Sequence, residues 1–169
     1  MQKTRSIATL IATGFGITVI AGMSFLRPQV LLLYNYTDSL PHGFYLVEKR
    51  DAYKRGDMVV FPVPRSVRSL VNERRWLHEK GFLMKPLIGV KGDSVCTKRN
   101  RFRVGGNDFG SIQLHDEQGL PLPRYAVCGV LKEGFLVGVE GVSNSFDSRY
   151  FGPVPERSVI GVAIPFWLF

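Results

Sequence analysis

The longest feature of the hydropathy pattern lies at the front of the chain. Residues 6–26, SIATLIATGFGITVIAGMSFL, carry no charged side chain. A helix needs about 20 such residues to cross a bilayer. Lys3 and Arg5 precede the run, and Arg27-Pro28 ends it. A core helix of a soluble protein normally keeps a polar stripe. A cleavable signal peptide has a shorter apolar stretch and a small-x-small site. The run matches an uncleaved anchor better than either. The expected division is 1–5 as a cytoplasmic N-terminus, 6–26 as a transmembrane anchor and 27–169 as an exported domain, with the basic residues kept inside.

Beyond that run the apolar stretches are short. Residues 29–36 lead into the domain. Leu46-Val47 and Met58–Phe61 predict strands, with a turn at Lys54-Arg55-Gly56-Asp57 between them. Residues 66–80, SVRSLVNERRWLHEK, predict a helix that stops at Gly81. Val67, Leu70, Val71 and Leu77 fall on or near one face, and Arg68, Arg74, Arg75 and Lys80 lie elsewhere. Such a helix either packs on a sheet with a solvated basic face or lies near lipid headgroups. Phe82–Val90, Ser94–Thr97, Phe135–Val139 and Val159–Ile164 predict further strands, and residues 99–125 read as loop-rich. The pattern as a whole predicts a mainly β, antiparallel domain with one short helix.

Composition fits this picture. Eighteen glycines and ten prolines in 169 residues supply many turns, and 45% hydrophobic residues supply a core. After an anchor there is room for one sizeable domain. The net charge is +8. Setting aside Lys3, Arg5 and Arg27 leaves 19 basic residues against 14 acidic, or +5. These bases are scattered and no Gly-aromatic RNA-binding signature occurs, so no nucleic-acid partner is expected. An anionic membrane surface accounts for the charge more simply. Neither Cys96 nor Cys128 lies in a C-x-x-C pair, and His42, His78 and His115 are isolated. No metal or other cofactor is expected. The two cysteines are either two core thiols or, in an exported domain, one disulfide.

Three stretches carry candidate chemistry. Asn35–Tyr45 (NYTDSLPHGFY) is rich in small polar groups, although Ser-x-Pro-x-Gly also makes an ordinary turn. Phe82–Asp93 (FLMKPLIGVKGD) sets Lys85 inside an apolar strand. A lysine there either snorkels to the surface or is buried with a depressed pKa, and a neutral amine can take a proton from a serine hydroxyl. Ser143–Glu156 (SNSFDSRYFGPVPE) packs hydroxyl, carboxylate and guanidinium groups between two apolar strands, and is either a self-bonded polar turn or part of a site. Gly119–Pro123 is a turn without visible chemistry.

Together these motifs resemble the type I signal peptidases. The resemblance rests on Ser-x-Pro after an anchor, a strand lysine followed by G-x-x-G-D, and S-x-D-S-R-Y-[FW]-G, and it spans about residues 33–164. Proline stands two positions after the serine, in Ser39-Leu40-Pro41, and Lys85 is followed by Pro86 rather than arginine. Both features resemble the TraF-type conjugative-transfer branch. The resemblance implies a Ser/Lys dyad with Ser39 as nucleophile and Lys85 as general base. It implies Thr37 and the Ser39 N–H as oxyanion donors, Ser145 as the residue orienting the lysine, and Asp147 and Arg149 as a supporting ion pair. Pro86 removes the arginine that would share Asp147, which leaves that carboxylate a freer, even catalytic, role.

The function expected is that of a serine endopeptidase in the bacterial inner membrane, single-pass, with its catalytic domain on the periplasmic side. It would process an exported or membrane-embedded precursor, a conjugative pilin subunit, by cleavage or by cyclisation. The alternatives are a general type I signal peptidase and a non-enzymatic membrane-tethered scaffold of a conjugation or secretion apparatus. A Ser/His/Asp triad fits poorly, because His42 shares a turn with Ser39 and no other histidine lies in a comparable motif.

Overall fold

The computed structural model describes residues 31–78 and 81–169. The anchor expected over 6–26 lies outside them. Among the described residues, no helix is long and apolar enough to cross a membrane.

Among the described residues, ten strands form two antiparallel sheets. The larger contains β1 (Leu31–Asn35), β2 (Gly43–Glu48), β3 (Met58–Pro62), β4 (Phe82–Gly89), β9 (Leu136–Val137) and β10 (Gly161–Leu168). Their order is β1-β2-β10-β3-β4-β9. The smaller contains β5 (Ser94–Lys98), β6 (Arg101–Val104), β7 (Asn107–Ser111) and β8 (Cys128–Val130), in the order β7-β6-β5-β8. The β-rich, antiparallel expectation therefore holds for the domain.

Burial explains the strand order. β3 is central and carries Val59, Val60 and Phe61, all buried, as a strand covered on both faces must. β2 alternates instead: Tyr45 and Val47 point into the core, and Phe44 and Glu48 point out. β4 distributes its side chains between faces. Leu83 and Leu87 join one core cluster with Val59 and Phe61, whereas Met84 and Ile88 join two others. Gly89 lies past a bulge in β4, where a Cβ would crowd Val104 and Leu136. The absent side chain lets the two sheets approach there.

Two expectations need correction. The helix over 66–80 is much shorter: a 3-10 turn at Arg65–Val67 runs into α1 (Arg68–Glu73). It stops well before Gly81. Arg75 adopts φ 54°, its N–H donates to Asn72 O, and the Trp76 N–H donates to Val71 O. That is a Schellman stop built without glycine. Its hydrophobic half is Trp76, whose ring packs 5.1 Å from Phe146. Tertiary packing of Trp76 thus overrides the helical periodicity beyond it.

The stretch 99–125 is also more ordered than its composition suggests. β6 and β7 form a hairpin closed by Gly105-Gly106, both at positive φ, as a two-residue primed turn requires. Arg99 and Asn100 close the β5–β6 hairpin in the same way. The second helix, α2 (Ser148–Phe151), is a single turn.

Candidate active site

Lys85 is held in the middle of β4, opposite Val59 of β3. Strand alternation sends it to the same face as Leu83 and Leu87, so it cannot snorkel, and it is 4% exposed. Burial pushes its pKa down from 10.5 to about 8, with Asp147 opposing and Arg149 reinforcing the shift. Its Nζ lies 2.6 Å from Ser39 Oγ and 3.0 Å from Ser145 Oγ. The next residue, Pro86, keeps its carbonyl in the sheet by accepting from Gly138 N–H. Its missing N–H falls on the side of β9, which pairs over only two residues.

Ser39 sits in the turn between β1 and β2. Asn35, the last residue of β1, organises that turn. Its Nδ2 donates to the carbonyls of Thr37, Leu40 and Pro41 at 3.1, 3.0 and 3.0 Å. Its Oδ1 accepts from the Thr37 N–H and hydroxyl at 3.2 and 2.8 Å. The buried Tyr45 hydroxyl donates to Pro41 O from below. Gly43 takes φ 144°, and a Cβ there would run into the carbonyl of Trp167 on β10. His42 is turned toward Asp38, 3.0 Å away, while Ser39 faces Lys85.

The Ser143–Glu156 segment supplies the floor. Asp147 caps α2 by accepting from the Arg149 N–H, and it takes a two-pronged grip from the Arg149 guanidinium, both contacts at 2.9 Å. Asp147 is 1% and Arg149 3% exposed. Burial works against the Arg149 charge, and the Asp147 carboxylate more than offsets it. The same guanidinium donates to the carbonyls of Ser111, Val142 and Ser145. Both oxygens of Asp147 are therefore engaged by arginine, which supports an ion-pair role rather than a free one.

These pieces line a cleft of about 880 Å³. Thr37, Ser39, Lys85 and Ser145 line its walls, together with Trp76, Leu77, Phe146 and Tyr150. An arm carrying Gln113, His115, Asp116 and Glu117 contributes further wall. An Asp116–Arg74 ion pair ties that arm to the end of α1.

Comparison with known proteins adds to this geometry. The chain matches the signal peptidase S26 family over residues 4–167. It belongs to that family. It is 28% identical to the plasmid transfer protein TraF of Escherichia coli, over 98% of each chain. It is 29% identical to the conjugal transfer protein TraF of Agrobacterium fabrum, over 80% of this chain and 81% of that one. Signal peptidase I of Leptolyngbya laminosa is 29% identical over 68% of this chain, but over only 53% of its own length.

Within this S26 domain, Ser39, Lys85 and Ser145 come together from β-turn, strand and loop, and Asp147 and Arg149 lie behind them. Thr37 lines the same cleft, but its hydroxyl is donated to Asn35. Cys96 and Cys128 lie directly opposite each other on β5 and β8 and are joined as a disulfide. Sequence reasoning missed two contributors. Asn35 was a polar residue at the head of a motif, and only the fold shows five hydrogen bonds converging on it. Ser148 is fully buried and accepts from the Val137 N–H at 2.8 Å, stitching the S-x-D-S-R-Y motif to β9. Its placement inside that motif was the one available signal.

Proposed function

We propose that this chain is a membrane-anchored serine endopeptidase with a Ser39/Lys85 dyad, acting on an exported or membrane-embedded conjugative pilin precursor. The observation that carries the proposal is the 2.6 Å contact between Ser39 Oγ and the buried Lys85 amine. With a pKa near 8, a useful fraction of Lys85 is neutral at working pH.

Neutral Lys85 accepts the Ser39 hydroxyl proton while Ser39 Oγ attacks the scissile carbonyl. The Ser39 N–H and the Thr37 hydroxyl, released from Asn35, donate to the oxyanion. The Lys85 ammonium then protonates the departing amine. Water resolves the acyl-enzyme to a carboxylate, or the substrate's own amine resolves it to a new peptide bond. Ser145 and the Asp147–Arg149 pair keep the lysine aimed. An extended substrate would lie along the cleft beside β1, an edge strand.

Three observations support the membrane setting. Residues 6–26 are uncharged and follow Lys3 and Arg5. The outward face of β1-β2-β10 exposes Leu32, Tyr34, Phe44, Ile164, Phe166 and Trp167, an aromatic-rich surface suited to the interfacial region of a bilayer. The disulfide suits an extracytoplasmic compartment, here the periplasmic side of the bacterial inner membrane.

Co-expression with the pilin precursor tests the proposal. Ser39→Ala and Lys85→Ala are each expected to abolish processing of a normally inserted protein. Full processing by either variant removes the dyad, and leaves a non-enzymatic scaffold as the reading. Mass spectrometry separates the outcomes, because a cyclic product lacks one water relative to the linear cleaved chain. The likeness to signal peptidase I favours a second reading, a general signal peptidase. That reading gains if unrelated signal-bearing precursors are cleaved as fast as the pilin.

A further inference from the structure

We propose that Asn35 is a positioning residue for Ser39. The inference rests on the Ser39/Lys85 reading above and assigns a role that the dyad alone does not contain.

Residues 36–42 include no regular strand or helix, so the turn carrying the serine must find hydrogen-bond partners elsewhere. Asn35 supplies them from a fixed platform. It is 8% exposed and closes β1, paired with Gly43 of β2. Its carboxamide reaches both sides of Ser39. Upstream it holds Thr37 through N–H, hydroxyl and carbonyl; downstream it holds the carbonyls of Leu40 and Pro41. The turn is wrapped around one side chain, and Ser39 stands at its outer edge toward Lys85.

The chemistry of the amide matters. Its oxygen meets two donors and its two N–H groups are shared among three carbonyls, so the group fits in one orientation only. A carboxylate of the same shape would face three carbonyls with no proton to give. An aliphatic side chain would leave three carbonyls and the Thr37 N–H without this partner. In either case Ser39 gains freedom relative to a lysine fixed in the sheet. A serine displaced by about 1 Å loses on the order of a hundredfold in rate. Asn35 is absent from the walls of the main cleft and is one of twelve residues lining the smaller groove beside β1, so ground-state substrate binding rests mainly on other residues. The effect therefore falls on kcat.

The test uses the full chain in detergent micelles with purified pilin precursor as the probe. It compares wild type, Ser39→Ala, Asn35→Ala and the isosteric Asn35→Asp, with kcat expressed per folded molecule from thermal melts. Both Asn35 variants are expected to lose at least tenfold in kcat with KM within about threefold. The pH dependence of Asn35→Ala is expected to keep the wild-type midpoint, because Lys85 is untouched. A purely structural role would lower the melting temperature and leave kcat per folded molecule unchanged. A kcat within twofold of wild type in either folded variant overturns the proposal. Failure of both variants to fold also overturns it, since Asn35 is then a folding residue. Full activity of Ser39→Ala sinks the dyad reading itself, whatever Asn35 shows. Inactive Ser39→Ala beside active Asn35 variants sinks this inference alone.

Discussion

The Lys85 amine meets the Ser145 hydroxyl at 3.0 Å, and both residues are almost completely buried. The Ser145 carbonyl is in turn held by Arg149 at 3.0 Å. The lysine thus contacts a serine whose backbone carbonyl is held by the arginine of an ion pair. Ser145→Ala removes an acceptor that favours the charged amine, so the Lys85 pKa is expected to fall further. The acid limb of the rate profile should move to lower pH while the plateau kcat drops by about tenfold or more. An unchanged limb and plateau, measured by steady-state kinetics across pH, would show that Ser145 does not orient Lys85.

The pH dependence expected of the proposed activity follows from the buried lysine. The proposed mechanism needs the neutral amine, and burial lowers the Lys85 pKa to about 8. Activity should rise through pH 8 and reach its plateau above about pH 9, with about a tenth of the plateau at pH 7. Lys85→Arg should be inactive at every pH, since guanidinium stays protonated.

Stability carries the same signature with a definite sign. Between the folded pKa of about 8 and the ordinary value of 10.5, the unfolded chain holds a proton at Lys85 that the native chain lacks. Stability from this group therefore rises with pH across that window and is lowest below pH 8. Lys85→Met should stabilise the domain by about 3 kcal/mol at pH 7, with the gain shrinking toward zero near pH 10.5. Denaturant titrations of both proteins at pH 7 and pH 10 measure the difference. A gain independent of pH would show that Lys85 is not desolvated in the native state.

Much of this arrangement was legible in the sequence because it is carried by local chemistry. Lys85 in an apolar strand and the S-x-D-S-R-Y motif are readable as residue types in order. β4 is apolar on both faces, however, so its pattern alone left open whether Lys85 snorkels or is buried. What was not legible depends on distant contacts. Nothing in residues 66–80 announces that Trp76 will leave the helix for Phe146. Nothing near Asn35 says that three carbonyls will turn back to it. The Gly105-Gly106 hairpin was readable in principle, but polar residues around it hid the strands.

The helix stop gives a simple stability test. Arg75 occupies the left-handed region at φ 54° and is exposed. A side chain there costs about 1 kcal/mol relative to glycine. Arg75→Gly is expected to raise stability by up to about 1 kcal/mol in chemical denaturation, with activity unchanged. A loss of stability would mean that the Arg75 side chain makes a contribution larger than its backbone cost.

The disulfide closes a separation of 32 residues, which includes the arm that lines the cleft. Loop-closure entropy of that size corresponds to about 3–4 kcal/mol. The Cys96→Ala/Cys128→Ala variant should lose stability on that order. Thiol titration of denatured, unreduced protein should find no free thiol. Two free thiols would rule the bridge out.

The strand order has a consequence for how the Ser39–Lys85 contact comes into being. Ser39 is attached to the β1-β2 pair and Lys85 to the β3-β4 pair, and within the sheet these pairs are joined through β10, which lies between β2 and β3. β10 is made after every other strand described here. While the ribosome is still adding residues before Gly161, the two halves share no strand-to-strand seam. Ser39 and Lys85 are then carried on separate strand pairs. Closure of the sheet that seats Ser39 against Lys85 is therefore expected to wait for the last strand to arrive.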